Sequence, residues 1–83
     1  MYQIVLRKSA AKELNNLENK YQVKVALALT VLSENPYAGK KLDGDLAGLY
    51  SYRIWPMRIV YAIYKDRLMI HVFRIAHRQG VYK

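Results

Sequence analysis

Hydrophobic and polar positions along the chain change period twice, and the changes mark its elements. Residues 2–7 (YQIVLR) carry β-forming side chains with no breaker and predict a strand. Ser9 is placed to cap a helix from Ala10 to about Glu18, with Leu14 and Leu17 on one face. Asn19 breaks it. A second helix is expected from Lys20 to Glu34, with one apolar stripe of Val25, Leu29 and Leu32 and another of Val23, Leu27 and Val31. Eight of the ten residues from Val23 to Leu32 are apolar, wider than the stripe of an ordinary surface helix. Such a helix packs on a sheet and a neighbouring helix, or leaves one edge for a partner helix. Asn35-Pro36 ends it, because the residue before a proline is pushed out of the α region.

Beyond a loop at Tyr37–Gly48, which holds Gly39, Gly44, Gly48 and the Lys40-Lys41 pair, the period becomes two. Leu49–Ile54 alternates, with Tyr50, Tyr52 and Ile54 on one side and Ser51 and Arg53 on the other. Trp55-Pro56 reads as a turn. Met57–Tyr64 alternates again, Met57, Ile59, Tyr61 and Ile63 facing opposite to Arg58, Val60, Ala62 and Tyr64. Lys65-Asp66-Arg67 is a polar turn, Leu68–Ile75 a further strand and Ala76–Lys83 a short basic tail. Short turns make the last three strands an antiparallel meander. The expected fold is α+β, in the order β-α-α-β-β-β, with two helices packed on one face of the sheet. The 83 residues are expected to form a single domain.

Composition narrows the function. The hydrophobic fraction of 53% is that of a folding chain. With no cysteine there is no disulfide scaffold and no thiol chemistry. No signal peptide is recognisable and no run approaches the ~18 apolar residues of a membrane helix, so a cytoplasmic protein that binds no membrane is expected. Fourteen Lys and Arg against six Asp and Glu give a net charge of +8. Residues 44–83 alone hold seven basic and two acidic side chains. Such a field attracts polyanions: nucleic acid, ribosome, anionic membrane or acidic protein.

The six acids are scattered, and His71 and His77 have no partners at metal-ligand spacing. No glycine-rich phosphate loop follows a strand, and no metal or cofactor is expected. What remains is cationic. Arg53 ends one strand and Arg58 begins the next, so the hairpin brings them together, and Arg74 and Arg78 follow near His77 and Tyr82. Clustering like charges costs self-energy, and arginine grips phosphates bidentately, so the cluster points to an anion site. The strand tyrosines Tyr50, Tyr52, Tyr61 and Tyr64 read as sheet packing, and Trp55 as either a cover for the core edge or a nucleotide contact.

The run RIVYAIYKDRLMIHVFRIAHRQGVYK (residues 58–83) resembles the C-terminal hairpin and tail of toxins of the RelE/ParE superfamily, RelE-like branch, which belong to type II toxin–antitoxin systems. The Asn-Pro helix stop, the Lys-Lys-Leu segment and the Gly-Leu-Tyr-Ser-Tyr-Arg run (residues 48–53) resemble it too. The resemblance implies a RelE-like microbial RNase fold and ribosome-dependent, metal-independent cleavage of mRNA. In that chemistry the 2′-hydroxyl attacks the adjacent phosphate, leaving a 2′,3′-cyclic phosphate and a 5′-hydroxyl. It needs a base, positive charge for the transition state and an acid for the leaving oxygen. By position, Arg58 resembles the arginine that stabilises the transition state, Arg78 a general acid or second phosphate ligand, and Tyr82 the tyrosine that stacks on or orients the nucleotide. Arg53 falls near a lysine proposed as base, and Ser51 stands where a second lysine is expected. Arginine is a poor base and histidine a good proton carrier near neutral pH, so His77 is the alternative acid/base. The partners implied are an acidic antitoxin, the ribosome and mRNA, with operator DNA for the antitoxin complex. The ParE-like branch implies instead a DNA gyrase inhibitor without nuclease activity.

Overall fold

The computed structural model describes residues 1–77. It shows β1 (Gln3–Leu6), α1 (Lys8–Asn15), α2 (Asn19–Glu34), β2 (Lys40–Lys41), β3 (Tyr50–Ile54), β4 (Met57–Tyr64) and β5 (Met69–His77), with 3-10 turns at Pro36–Ala38, Gly44–Leu46 and Lys65–Arg67. The α+β architecture and the order of the principal elements are those the periodicity predicts. The Tyr37–Gly48 segment is not wholly loop, because Lys40–Lys41 pairs antiparallel with β3.

The sheet runs β1-β5-β4-β3-β2. β3, β4 and β5 form the expected antiparallel meander, and β1 joins β5 in parallel. The five-stranded sheet is therefore mixed. The helical hairpin carries the chain from β1 across one face to the far edge, and the meander brings it back beside β1.

The core lies between that face and the helices. Ala10, Val25, Ala28 and Leu32 meet Met57, Ile59, Tyr61, Ile70, Val72 and Ile75, all buried. Truncating such a side chain, as in Leu32→Ala, typically costs about 2–5 kcal/mol.

Helix boundaries follow from the sheet. Ser9 does not cap α1, which begins at Lys8 with Arg7 as N-cap. The Arg7 N–H donates to the Val72 carbonyl at 2.9 Å and Ala11 N–H already donates to the Arg7 carbonyl, so the strand passes directly into the helix. α1 ends at Asn15, short of Glu18, where the Asn16 N–H is shared between the Lys12 and Glu13 carbonyls. The Gln22 side-chain amide donates to the Leu14 carbonyl at 2.9 Å and ties the two helices together.

β5 outruns β1, whose register ends at Leu6 opposite Val72. There a register shift sets Tyr61 opposite Val72 but Val60 opposite Arg74, leaving Phe73 as an extra residue. Glu13 of α1 closes this stretch. One carboxylate oxygen accepts the Ile75 backbone N–H at 2.8 Å and the other accepts Arg74 Nε at 2.9 Å.

Candidate functional site

The sheet face opposite the helices carries the charge. β alternation sends Ser51, Arg53, Arg58 and Val60 to that side, while their neighbours enter the core. Arg53 and Arg58 stand directly opposite in the β3–β4 register. Like charges so placed destabilise a sheet. The tight turn at Trp55-Pro56 sets their distance, and Lys24 Nζ of α2 steadies that turn by donating to the Trp55 carbonyl at 3.2 Å. Trp55 itself is exposed.

The two arginines line a cleft of about 380 Å³ together with Ala38, Lys40, Leu42, Ser51 and Tyr52. None of these residues is acidic. The Ser51 side chain is buried, with 7% exposure, and its Oγ has no hydrogen-bond partner among the described residues. A cleft walled by three cationic residues and floored by a hydroxyl can hold an oxyanion such as a phosphodiester.

Other expected participants fall elsewhere. Arg74 forms an ion pair with Glu13 at 2.7 Å, and that hydrogen-bonded carboxylate holds its guanidinium above the usual arginine pKa. It serves the packing of α1 on β5 rather than the cleft. His77 is exposed, ends β5 opposite Met57 and does not line the cleft. Since Arg58 pairs with Ala76, the pleat sets His77 on the other face from Arg58. Arg78 and Tyr82 lie outside the described residues.

Tyr50, Tyr52 and Tyr61 pack on the core as the alternation predicts, while Tyr64 is exposed and its ring meets His71 edge-on, with centroids 4.6 Å apart. Tyr61 is wholly buried, and burial pushes its phenol up to about 12. Sequence reasoning missed Lys40. Ala38, Lys40 and Leu42 of the expected loop all line the cleft, and no hydrophobic period marks Lys40 out in the sequence.

Away from the cleft, α2 has two apolar sides. Val25, Ala28 and Leu32 are buried, whereas Val23, Leu27 and Val31 are 59%, 61% and 43% exposed. Successive turns of one helix thus present an uncovered apolar stripe. Among the described residues, no three His, Asp or Glu gather as a metal site, and no helix is long and apolar enough to cross a membrane.

Comparison with known proteins gives this basic cleft and α+β sheet a family. The family described as ParE toxin of type II toxin–antitoxin system, parDE, matches residues 4–82, and the chain belongs to this family. It is 33% identical over 84 residues to Toxin RelE of Mycobacterium tuberculosis, covering 99% of this chain and 87% of the relative. Among solved structures it is similar to the toxin–antitoxin complex RelBE2 of Mycobacterium tuberculosis. There the TM-score is 0.87 at 29% identity, over 93% of this chain and 98% of the other. The isolated Escherichia coli RelE toxin shares the fold, with a TM-score of 0.80 at 21% identity over 93% of this chain and 84% of that one. The chain is thus a toxin of the RelE/ParE superfamily.

Proposed function

We propose that this toxin is an endoribonuclease that cleaves mRNA on the ribosome without a metal. The observation that carries the reading is the Arg53–Arg58 pair, held face to face in a cleft without acids. Cleavage begins as the 2′-hydroxyl gives its proton to a base and its oxygen attacks the neighbouring phosphorus. The P–O5′ bond breaks, giving a 2′,3′-cyclic phosphate, and the 5′-oxygen leaves with a proton. Charge builds on the equatorial phosphate oxygens in the transition state, where guanidiniums aimed in advance stabilise it most. Arg58 takes that role, with Arg53 beside it. Arg78 is the second phosphate ligand or proton donor and Tyr82 the stacking ring, while His77, set on the other face of the sheet from Arg58, takes no part in the step. The 33% identity to a relative named Toxin RelE supports this reading.

The same proposal includes an acidic antitoxin. Val23, Leu27 and Val31 form the apolar stripe an amphipathic helix covers, and a net charge of +8 selects an acidic one. The similar RelBE2 structure is itself a toxin–antitoxin complex. A second reading, inhibition of DNA gyrase, is favoured by the matched family's ParE description.

The deciding experiment adds the folded protein to a reconstituted translation reaction and maps mRNA 5′ ends by primer extension. Ribosome-dependent cuts that vanish in Arg58→Ala, with about a 10²-fold or greater loss of kcat, are expected. Uncut mRNA together with blocked supercoiling by gyrase would overturn the nuclease reading.

A further inference from the structure

The cleft extends past the arginine pair, and its far end has chemistry of its own. Lys40 and Ser51 are register partners on β2 and β3, as Arg53 and Arg58 are on β3 and β4. Ser51 precedes Arg53 by two positions, about 7 Å along a strand. That is on the scale of the separation between successive phosphates of a single strand. We propose that Lys40 and Ser51 form a second phosphate subsite, which holds the phosphodiester next to the one gripped by Arg53 and Arg58. This proposal rests on the RNA-cleaving reading of the same cleft.

Three observations carry it. The first is Ser51, a residue of the cleft lining whose buried hydroxyl lacks a partner among the described residues. A buried hydroxyl without a hydrogen bond is costly, and a phosphate oxygen would complete it. The second is direction. Lys40 stands opposite Ser51 on the cleft side and Lys41 opposite Tyr50, which packs on the core, so β alternation turns Lys40 toward the cleft and Lys41 away.

The third is anchorage. On one side of Lys40, the Gly39 N–H donates to the buried Tyr61 hydroxyl at 3.1 Å. On the other, the Leu42 N–H donates to the Leu49 carbonyl at 3.0 Å. The backbone that presents Lys40 is therefore fixed before any ligand arrives, and less ordering entropy is lost on binding. A lysine there acts as a point charge on the phosphate, with Ser51 donating one directed hydrogen bond.

A subsite for a non-reacting phosphate contributes equally to substrate and transition state, so its loss raises KM and spares kcat. The test is steady-state cleavage of mRNA in ribosomal complexes by Lys40→Met, Lys40→Arg, Ser51→Ala and Lys41→Met, each first confirmed folded by its melting curve. Lys40→Met and Ser51→Ala should each raise KM about tenfold with kcat within about twofold. Lys40→Arg should restore KM, and Lys41→Met should match the parent.

An unchanged KM in Lys40→Met, an equal rise in Lys41→Met, or a fall confined to kcat overturns the subsite. So does a Lys40→Met protein that keeps its KM but binds its antitoxin more weakly, because the cleft end then takes a protein carboxylate. Failure of the nuclease reading is a separate result, namely a parent protein that cuts no mRNA or an Arg58→Ala protein that keeps full kcat.

Discussion

The Tyr61 hydroxyl accepts the Gly39 backbone N–H at 3.1 Å while donating to the Pro36 carbonyl at 2.7 Å. One core side chain thereby fastens both ends of the turn that leads into β2, and so sets where the cleft wall stands. Tyr61→Phe keeps the ring and its stacking on Tyr50 but leaves a donor and an acceptor unmet. The expected cost is about 1–3 kcal/mol, read as a lower urea midpoint at unchanged slope. An unchanged midpoint would show that the hydroxyl anchors nothing.

The same phenol makes stability pH-dependent at the alkaline end. Burial raises its pKa from 10.0 to about 12. Because the folded value lies above the unfolded one, its contribution is complete below about pH 10 and is lost as pH rises to about 12. The unfolded chain releases that proton first, so stability falls by about 2–3 kcal/mol across the window. Urea titrations from pH 9 to 12 should show this fall in the parent and a shallower one in Tyr61→Phe.

Gly39 has ordinary backbone angles (φ −78°, ψ 169°), so its requirement is one of space. A Cβ at this position would overlap the Tyr61 hydroxyl and approach the Ser51 carbonyl oxygen to 3.0 Å. Gly39→Ala should therefore push β2 away from β3, with a loss of about 1–3 kcal/mol and a weaker hold on Lys40. A melting temperature at or above that of the parent would contradict this.

Glu13 serves two partners where β1 leaves β5 uncovered. Glu13→Ala strands the Ile75 N–H and the Arg74 guanidinium together, for an expected loss of about 2–3 kcal/mol. Arg74→Met should cost about 1 kcal/mol or less, because its side chain is 42% exposed and water screens the pair. Chemical denaturation of the two variants checks the order. Equal losses would mean that the carboxylate's contact with the Ile75 amide contributes nothing.

On α2, Leu27→Glu alters a residue that the toxin's own core does not use. Its stability should stay within about 0.5 kcal/mol of the parent. Its affinity for an acidic antitoxin should fall at least about tenfold, through a lost apolar contact and a new like-charge encounter. Calorimetric titration with the antitoxin measures this, and an unchanged affinity would place the antitoxin elsewhere.

The chain's local pattern is enough to read most elements and part of the site. β4 runs over Met57–Tyr64 as its alternation predicts, the helix stop at Asn35-Pro36 stands, and the two-residue turn places Arg53 against Arg58. These features depend on neighbours a few positions apart, where side-chain period and proline geometry act directly.

Other features were decided only by tertiary structure. Ser9 carries a capping side chain, yet Arg7 begins the helix because Val72, distant in sequence, accepts its N–H. Arg74 reads as one more cation until Glu13 of α1 takes it. Lys40–Lys41 has no apolar pattern of its own and becomes a strand only because β3 and the Tyr61 hydroxyl receive its segment. Periodicity records which face a residue shows. Which strand or carboxylate meets that face depends on hydrogen bonds closed across the whole sheet, and that pairing put Lys40 and Ser51 at one end of the cleft and the two arginines at the other.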